Sequence, residues 1–294
     1  MQSTRSFRAI VAIAFATLAL LGLHSNQVQP SFAHGTTETR LGRLTDWSTH
    51  DPFDPGPHLE RARLFLETGR LDSAKVEVEC AEALRPRTAN AALLRAEITA
   101  ASGDTSEALR ELEELLAHHP DDVAGHRFRG GIWLALGDTT ASIGDYSTAL
   151  GLDPAPEPDD FLTLSTLLPS EDGLRVLDEA QVRLGLSVGL ELRAIEEARR
   201  LHRWDDALRR LASLERFYAR TEPLLELRAE ILLASGNWAD AADVAIDLAA
   251  RLDRREQEGR STPDDRARRV RATEILSTCA DANTSLVDTP RMAP

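Results

Sequence analysis

One spacing, 34 residues, organises most of this chain. Gly69, Gly103 and Gly137 stand 34 apart, and so do Pro86, Pro120 and Pro154. Ala62, Ala96 and Gly130 keep the interval, as do Arg61, Arg95 and Arg129. Farther on, Trp204 and Trp238 repeat it, with Ala207 and Ala241. A period of this length marks a stack of small supersecondary units. One unit cannot bury its own apolar face and has to cover it with the next.

The residues inside the period describe a helix, a turn and a second helix. The first, helix A, reads LERARLFLETG, LLRAEITAASG, RFRGGIWLALG and ELRAEILLASG, each ending in the glycine that closes a helix C-terminus. Helix B follows. In the second unit Asp104 and Glu107 have the spacing of a capping box. The alanine five places after the glycine faces helix A at close approach, where a large side chain would overpack at about 1–3 kcal/mol. The proline marks the end of helix B, because the residue before it is pushed out of the helical region.

This pattern resembles the tetratricopeptide repeat, a 34-residue helical pair. The resemblance implies an all-α, right-handed superhelical solenoid. Units are placed at 55–88, 89–122, 123–156, 188–221 and 222–255, so that 55–156 holds three repeats and 188–255 two. Residues 157–187 read as a degenerate unit and a joint, crowded by Pro154, Pro156, Pro158 and Pro169. TPDDRARRVRATEILSTCADA has a cap at Thr262, a proline in the first turn and early acids, which predicts a C-terminal capping helix within 256–282. Segments 34–54 and 283–294 are expected to be loose. The early tryptophan of the family is replaced by His58, Ala92, His126, Glu191 and Leu225, and the late proline is missing from the last two units.

Arg5 and Arg8 precede an apolar run from Ala9 to Leu23, and Ser31-Phe32-Ala33 offers a small-x-small site. This predicts a signal peptide over 1–33, cleaved after Ala33, with an uncleaved anchor as the alternative. The mature chain would then be exported to the periplasm or beyond the cell. The 34 basic residues are outnumbered by 48 acidic ones, a formal charge of −14. Nucleic acid and anionic membrane need a basic footprint, so neither is an expected partner. Cys80 and Cys279 are too few for a disulfide framework and too far apart in sequence for a structural zinc cluster.

No hydrolase elbow, zinc-protease helix, phosphate-binding loop or dinucleotide turn occurs. The chain therefore reads as a binding scaffold without catalysis or cofactor. The repeated Arg61, Arg95, Arg129 and Arg228 fall beside the small residue of helix A, at the packing seam. They are expected to lay their stems on neighbouring helices and turn their heads to water or a carboxylate. The resemblance implies a concave wall lined by helix A at the second, fifth, ninth and twelfth positions. These are Arg63, Asn90, Glu97 and Arg127 in the first block and Glu196, Arg199 and Glu230 in the second, with Leu59, Leu93, Leu134 and Leu233 between. Such a wall suits an extended or helical protein segment. Some members of the family clamp a peptide carboxylate there with lysines and asparagines, but only Asn90 fits that pattern here. An alternative is metal binding, by copper at His34 of a cleaved chain or by a cluster of His118, His119 and His126.

Overall fold

The computed structural model describes residues 36–218 and 221–287. The signal peptide and cleavage site expected over 1–33, and His34, lie outside them. Among the described residues there are fourteen α-helices and no strand. They divide into two compact units, 1–156 and 157–294. The first contains α1 (Thr37–His50), α2 (Gly56–Glu67), α3 (Leu71–Leu84), α4 (Ala89–Ala101), α5 (Thr105–His118), α6 (Val123–Leu136) and α7 (Thr139–Leu152). The second contains α8 (Pro158–Leu167), α9 (Ser170–Leu184), α10 (Val188–Arg200), α11 (Trp204–Tyr218), α12 (Glu222–Ala234), α13 (Trp238–Gln257) and α14 (Pro263–Val287). The A helices are α2, α4, α6, α8, α10 and α12. Each packs against the B helix that follows it.

Every pair except α8–α9 is closed by the same local chemistry. Gly137 ends α6 at φ +83°, a backbone that any Cβ would strain. The amide of Asp138 then donates back to the Trp133 carbonyl at 2.9 Å, which satisfies an end group of the helix. The same backward bond joins Arg70 to Phe65 and Asn237 to Leu232. In the 188–221 pair His202 holds the glycine's place at φ +55°. Asp104, Asp122 and Asp138 each accept an amide three residues on, capping α5, α6 and α7. At the other end Arg85, His119 and Asp153, each directly before a proline, leave the helical region.

The core follows the repeat. Ala62, Ala74, Val78, Ala91, Leu94 and Ile98 form one cluster, and Ala96, Ala108, Leu112, Leu115, Phe128 and Ile132 another. Each cluster joins one pair to the A helix of the next, so burial requires a neighbour. In the second unit Ala229, Leu232, Ala241 and Ala245 meet Ile275 and Cys279 of α14. Burial among these apolar groups pushes the Cys279 thiol above its ordinary range. Both cysteines are free thiols.

Several boundaries differ from the expectation. Residues 34–54 do not form a loose segment throughout, because α1 occupies Thr37–His50, capped by Thr36 and packed on α2. Residues 157–187 form a regular antiparallel pair, with the division between compact units falling at 156/157. Pro158 sits in the first turn of α8, where its missing N–H costs no helical bond. The capping helix starts at Pro263, since α13 continues to Gln257, and its backbone stays helical to Val287. The end of the tail, 288–294, lies outside the described residues. The cap at Thr262 is a reciprocal box: Thr262 N–H donates to Asp265 Oδ2 at 2.9 Å, and Asp265 N–H donates to Thr262 Oγ1 at 3.2 Å. The Thr262 amide holds the Asp265 carboxyl below its ordinary range.

A Cβ on Gly173 of α9 would lie 2.8 Å from the Ser165 carbonyl oxygen of α8. A Cβ on Gly144 of α7 would meet open space. Gly173→Ala should therefore lower stability by about 1–3 kcal/mol. Gly144→Ala should raise it by about 0.5–1 kcal/mol, because helical glycine carries an entropic cost. Urea unfolding of the two variants checks both signs.

Candidate functional site

The arginines of the seam are structural. Arg61 donates to Glu77 at 2.9 Å, Arg95 to Glu111 at 3.0 Å, and Arg129 to both oxygens of Asp145 at 2.7 and 2.8 Å. The partner is sixteen residues later every time, on the B helix of the same pair. The three acids are themselves 34 apart. Arg95 also reaches Glu82 of the preceding B helix at 2.5 Å. Arg228, whose own B helix has Val244 in the acid's place, turns to Glu215 with bonds of 2.6 and 2.9 Å. His58 and His126 add to the same acids, their Nδ1 atoms 2.7 Å from Glu77 and 3.0 Å from Asp145.

In the 188–221 pair the lock is reversed. Ala194 stands where arginine would be, and Arg210 where the acid would be. Arg210 meets Glu191, on the column of His58 and His126, at 3.5 Å, and also pairs with Asp178 of α9. Burial raises the Glu191 carboxyl above its ordinary range, and Arg210 opposes that shift.

The seven residues expected on the A-helix wall have different surroundings. In the first compact unit Asn90 is exposed, while Arg63, Glu97 and Arg127 are half-buried. Arg127 binds Asp153, at the end of α7, at 2.5 Å. Burial holds the Glu97 carboxyl above its ordinary value of 4.5, and the charge of Arg63 on the neighbouring α2 only partly offsets this. Arg63 Nε is buried without a hydrogen-bond partner. In the second compact unit the wall is tied to itself. Arg199 of α10 pairs with Glu196 and with Glu230 of α12, and Glu230 pairs with Arg271 of α14 at 3.3 Å. Arg268 and Arg271 also hold Glu226 of α12. The cross-links from α14 were not legible from the repeat, because α14 falls outside its period. Leu93 is buried, Leu59 and Leu233 are half-buried, and Leu134 is exposed.

The histidines do not converge. His126 is buried, with Nδ1 on Asp145 and Nε2 3.0 Å from the Pro120 carbonyl. His118 Nδ1 lies 2.8 Å from the Glu114 carbonyl, and His119 Nε2 lies 3.2 Å from that of Arg87. Among the described residues no group of three histidine, cysteine or acidic side chains is placed to hold a metal ion. The backbone breaks at Pro120 between His119 and His126, and this is what separates them. Nor is any described helix long and apolar enough to cross a membrane.

The fold and its seam thus define a helical-repeat scaffold. Residues 99–156 match the family model of the tetratricopeptide repeat. The helical pairs on either side carry the same columns, and the chain is similar to tetratricopeptide-repeat proteins. Repeats of this family are in general non-enzymatic scaffolds for protein interaction. No curated protein matches the chain. Similar solved structures include a tetratricopeptide repeat protein from Parabacteroides merdae, at 14% identity over 94% of this chain and 99% of that one, with a TM-score of 0.43. Another is pilF of Pseudomonas aeruginosa, at 19% identity over 78% and 100%, with a TM-score of 0.48. A third is PilW, a type IV pilus biogenesis factor, at 15% identity over 76% and 98%, with a TM-score of 0.49.

Two predictions follow from the polar groups. Asp145→Ala leaves Arg129 and His126 without their acceptor and should cost about 1.5–3 kcal/mol in urea unfolding. Glu97 has a raised value in the folded chain, so its contribution to stability is full below 4.5 and is lost as pH rises through the raised value. Glu97→Gln should therefore raise the urea midpoint at pH 7, and the gain should shrink as the pH is lowered toward 4.5. A gain that stays constant with pH would contradict the assignment.

Proposed function

We propose that this chain is an exported scaffold that holds a protein or peptide segment on the concave surface of its A helices, in an envelope or secretion-related assembly. The basic n-region, apolar run and small-x-small site of residues 1–33 support export. The observation that carries the binding surface is the contrast between the two A-helix walls. In the second unit Arg199, Glu230 and Arg271 satisfy one another across three helices. In the first, Glu97 is a carboxyl whose burial outweighs its neighbouring charge, and Arg63 has a buried Nε without a partner. A buried polar group left short of partners gains most from an incoming one. The binding wall is therefore that of α2, α4 and α6, with Arg63, Asn90, Glu97 and Arg127 as its polar contacts and Leu59 and Leu134 as apolar ones.

The test is capture of partners from the native envelope fraction with tagged chain. Arg63→Glu combined with Arg127→Glu should abolish specific capture, whereas Arg199→Glu in the second unit should leave it in place. Retention of every captured protein by the double variant would refute the wall. N-terminal sequencing of the chain recovered from its native cell tests export separately, with His34 as the expected first residue.

A further inference from the structure

One column of the repeat changes size abruptly. At the fourth place of α2, α4, α6, α10 and α12 in their units stand His58, Ala92, His126, Glu191 and Leu225. All but the alanine are large, and His126, Glu191 and Leu225 are buried. Beside Ala92 lies a cleft of about 240 Å³, lined by Pro86, Ala92, Arg95 and Leu115 among others.

The pairs on either side show what fits there. His58 Nδ1 lies 2.7 Å from Glu77 Oε2, and Arg61 donates to the same oxygen. His126 Nδ1 lies 3.0 Å from Asp145 Oδ1, which it shares with Arg129, and its Nε2 lies 3.0 Å from the Pro120 carbonyl. In the pair between them Glu111 is the acid and Arg95 the arginine, but Ala92 brings no ring. Arg95 donates to Glu111 Oε1 only. Glu111 is 6% exposed, and its Oε2 is buried without a hydrogen-bond partner. A buried carboxylate oxygen in that position carries its desolvation cost uncompensated. Pro86, which lines the cleft, stands where Pro120 offers its carbonyl to His126.

We propose that the cleft at Ala92 is a binding site for an imidazole ring, brought by a free small molecule or by a histidine side chain of a partner. One ring N–H donates to Glu111 Oε2 and the other to the Pro86 carbonyl, as His126 spans Asp145 and Pro120. Two acceptors require both ring nitrogens to carry protons, so the ring enters as its cation. Glu82 and Glu114 line the cleft with Arg87 and Arg95, and together with Glu111 the acids outnumber the arginines. Arg95 does not exclude the ring, since Arg129 and His126 share one acid in the next pair. The site has no residue in common with the wall of α2, α4 and α6 and stands or falls independently of it.

Imidazole itself is the probe, titrated into the untagged, isotope-labelled full chain at a pH of about 6, where the ring is charged and exposed carboxylates are ionised. It should shift the amide resonances of Ala92, Arg95 and Leu115 and saturate with a Kd below about 10 mM. Ala92→His and Ala92→Leu, which place in the cleft the side chains found at His126 and Leu225, should each abolish these shifts. Glu111→Gln should weaken binding about fivefold or more, because the acceptor loses its charge. Circular dichroism checks that each variant keeps its helices, and the two Ala92 variants decide the matter if Glu111→Gln does not. N-acetylhistidine methylamide and free histidine separate the two sources: tighter binding of the first indicates a polypeptide, and of the second a small molecule. No saturable shift up to about 50 mM imidazole, shifts that persist in both Ala92 variants, or an affinity indifferent to Glu111→Gln would each overturn the proposal.

Discussion

Everything in this molecule depends on how closely the two helices of a pair approach. Ala62 meets Ala74, Ala96 meets Ala108, and Ala229 meets Ala241 within their clusters, all fully buried. Where the A-helix alanine is replaced by Gly130, an added Cβ would lie 3.2 Å from Asp145 Cβ and 3.3 Å from Tyr146. This seam leaves no room for a larger group. It also sets the reach of the arginine beside it, whose partner sits sixteen residues on in three successive pairs. Steric fit and polar satisfaction are thus two consequences of one spacing, and each carbon or charge lost on one side is felt on the other.

The fold was legible because this seam is periodic. Glycine, proline and small residues every 34 places and the caps at Asp104 and Thr262 correspond to observed backbone, although Glu107 turns to Arg110 and does not close a capping box with Asp104. The reading that seam arginines seek carboxylates also corresponds to the geometry. α1 was harder to see. Pro52 and Leu44 keep the period, but Arg40 and Trp47 stand where the other B helices have small or medium apolar residues. The reversed lock of Arg210 and Glu191 was equally hidden, because a charge pair that exchanges sides breaks both columns while preserving the contact. Fold boundaries blurred for a related reason: a helix such as α13 can run on past its unit wherever no proline stops it.

The candidate wall was legible as a set of positions and not as a set of available groups. Arg63 and Glu97 in the first unit and Glu196 and Glu230 in the second occupy the same place in the repeat. Their chemical situations diverge through α14, which brings Arg268 and Arg271 to Glu226 and Glu230 from outside the period. The histidines show the converse. Close in sequence, His118 and His126 are directed by Pro120 to different elements, and His126 is taken up by the seam. Proximity along the chain therefore predicts little here, whereas distance in multiples of the repeat predicts a good deal.

The seam is tested most directly by the unfolding free energy of Ala108→Leu, measured in urea against the unmodified chain. The added side chain is apolar and would be buried, so hydrophobic transfer alone predicts a gain. A contact with no spare volume predicts a loss of about 1–3 kcal/mol. A midpoint unchanged or raised would show that the helices of the pair can part to admit it, and that their close approach does not hold the structure.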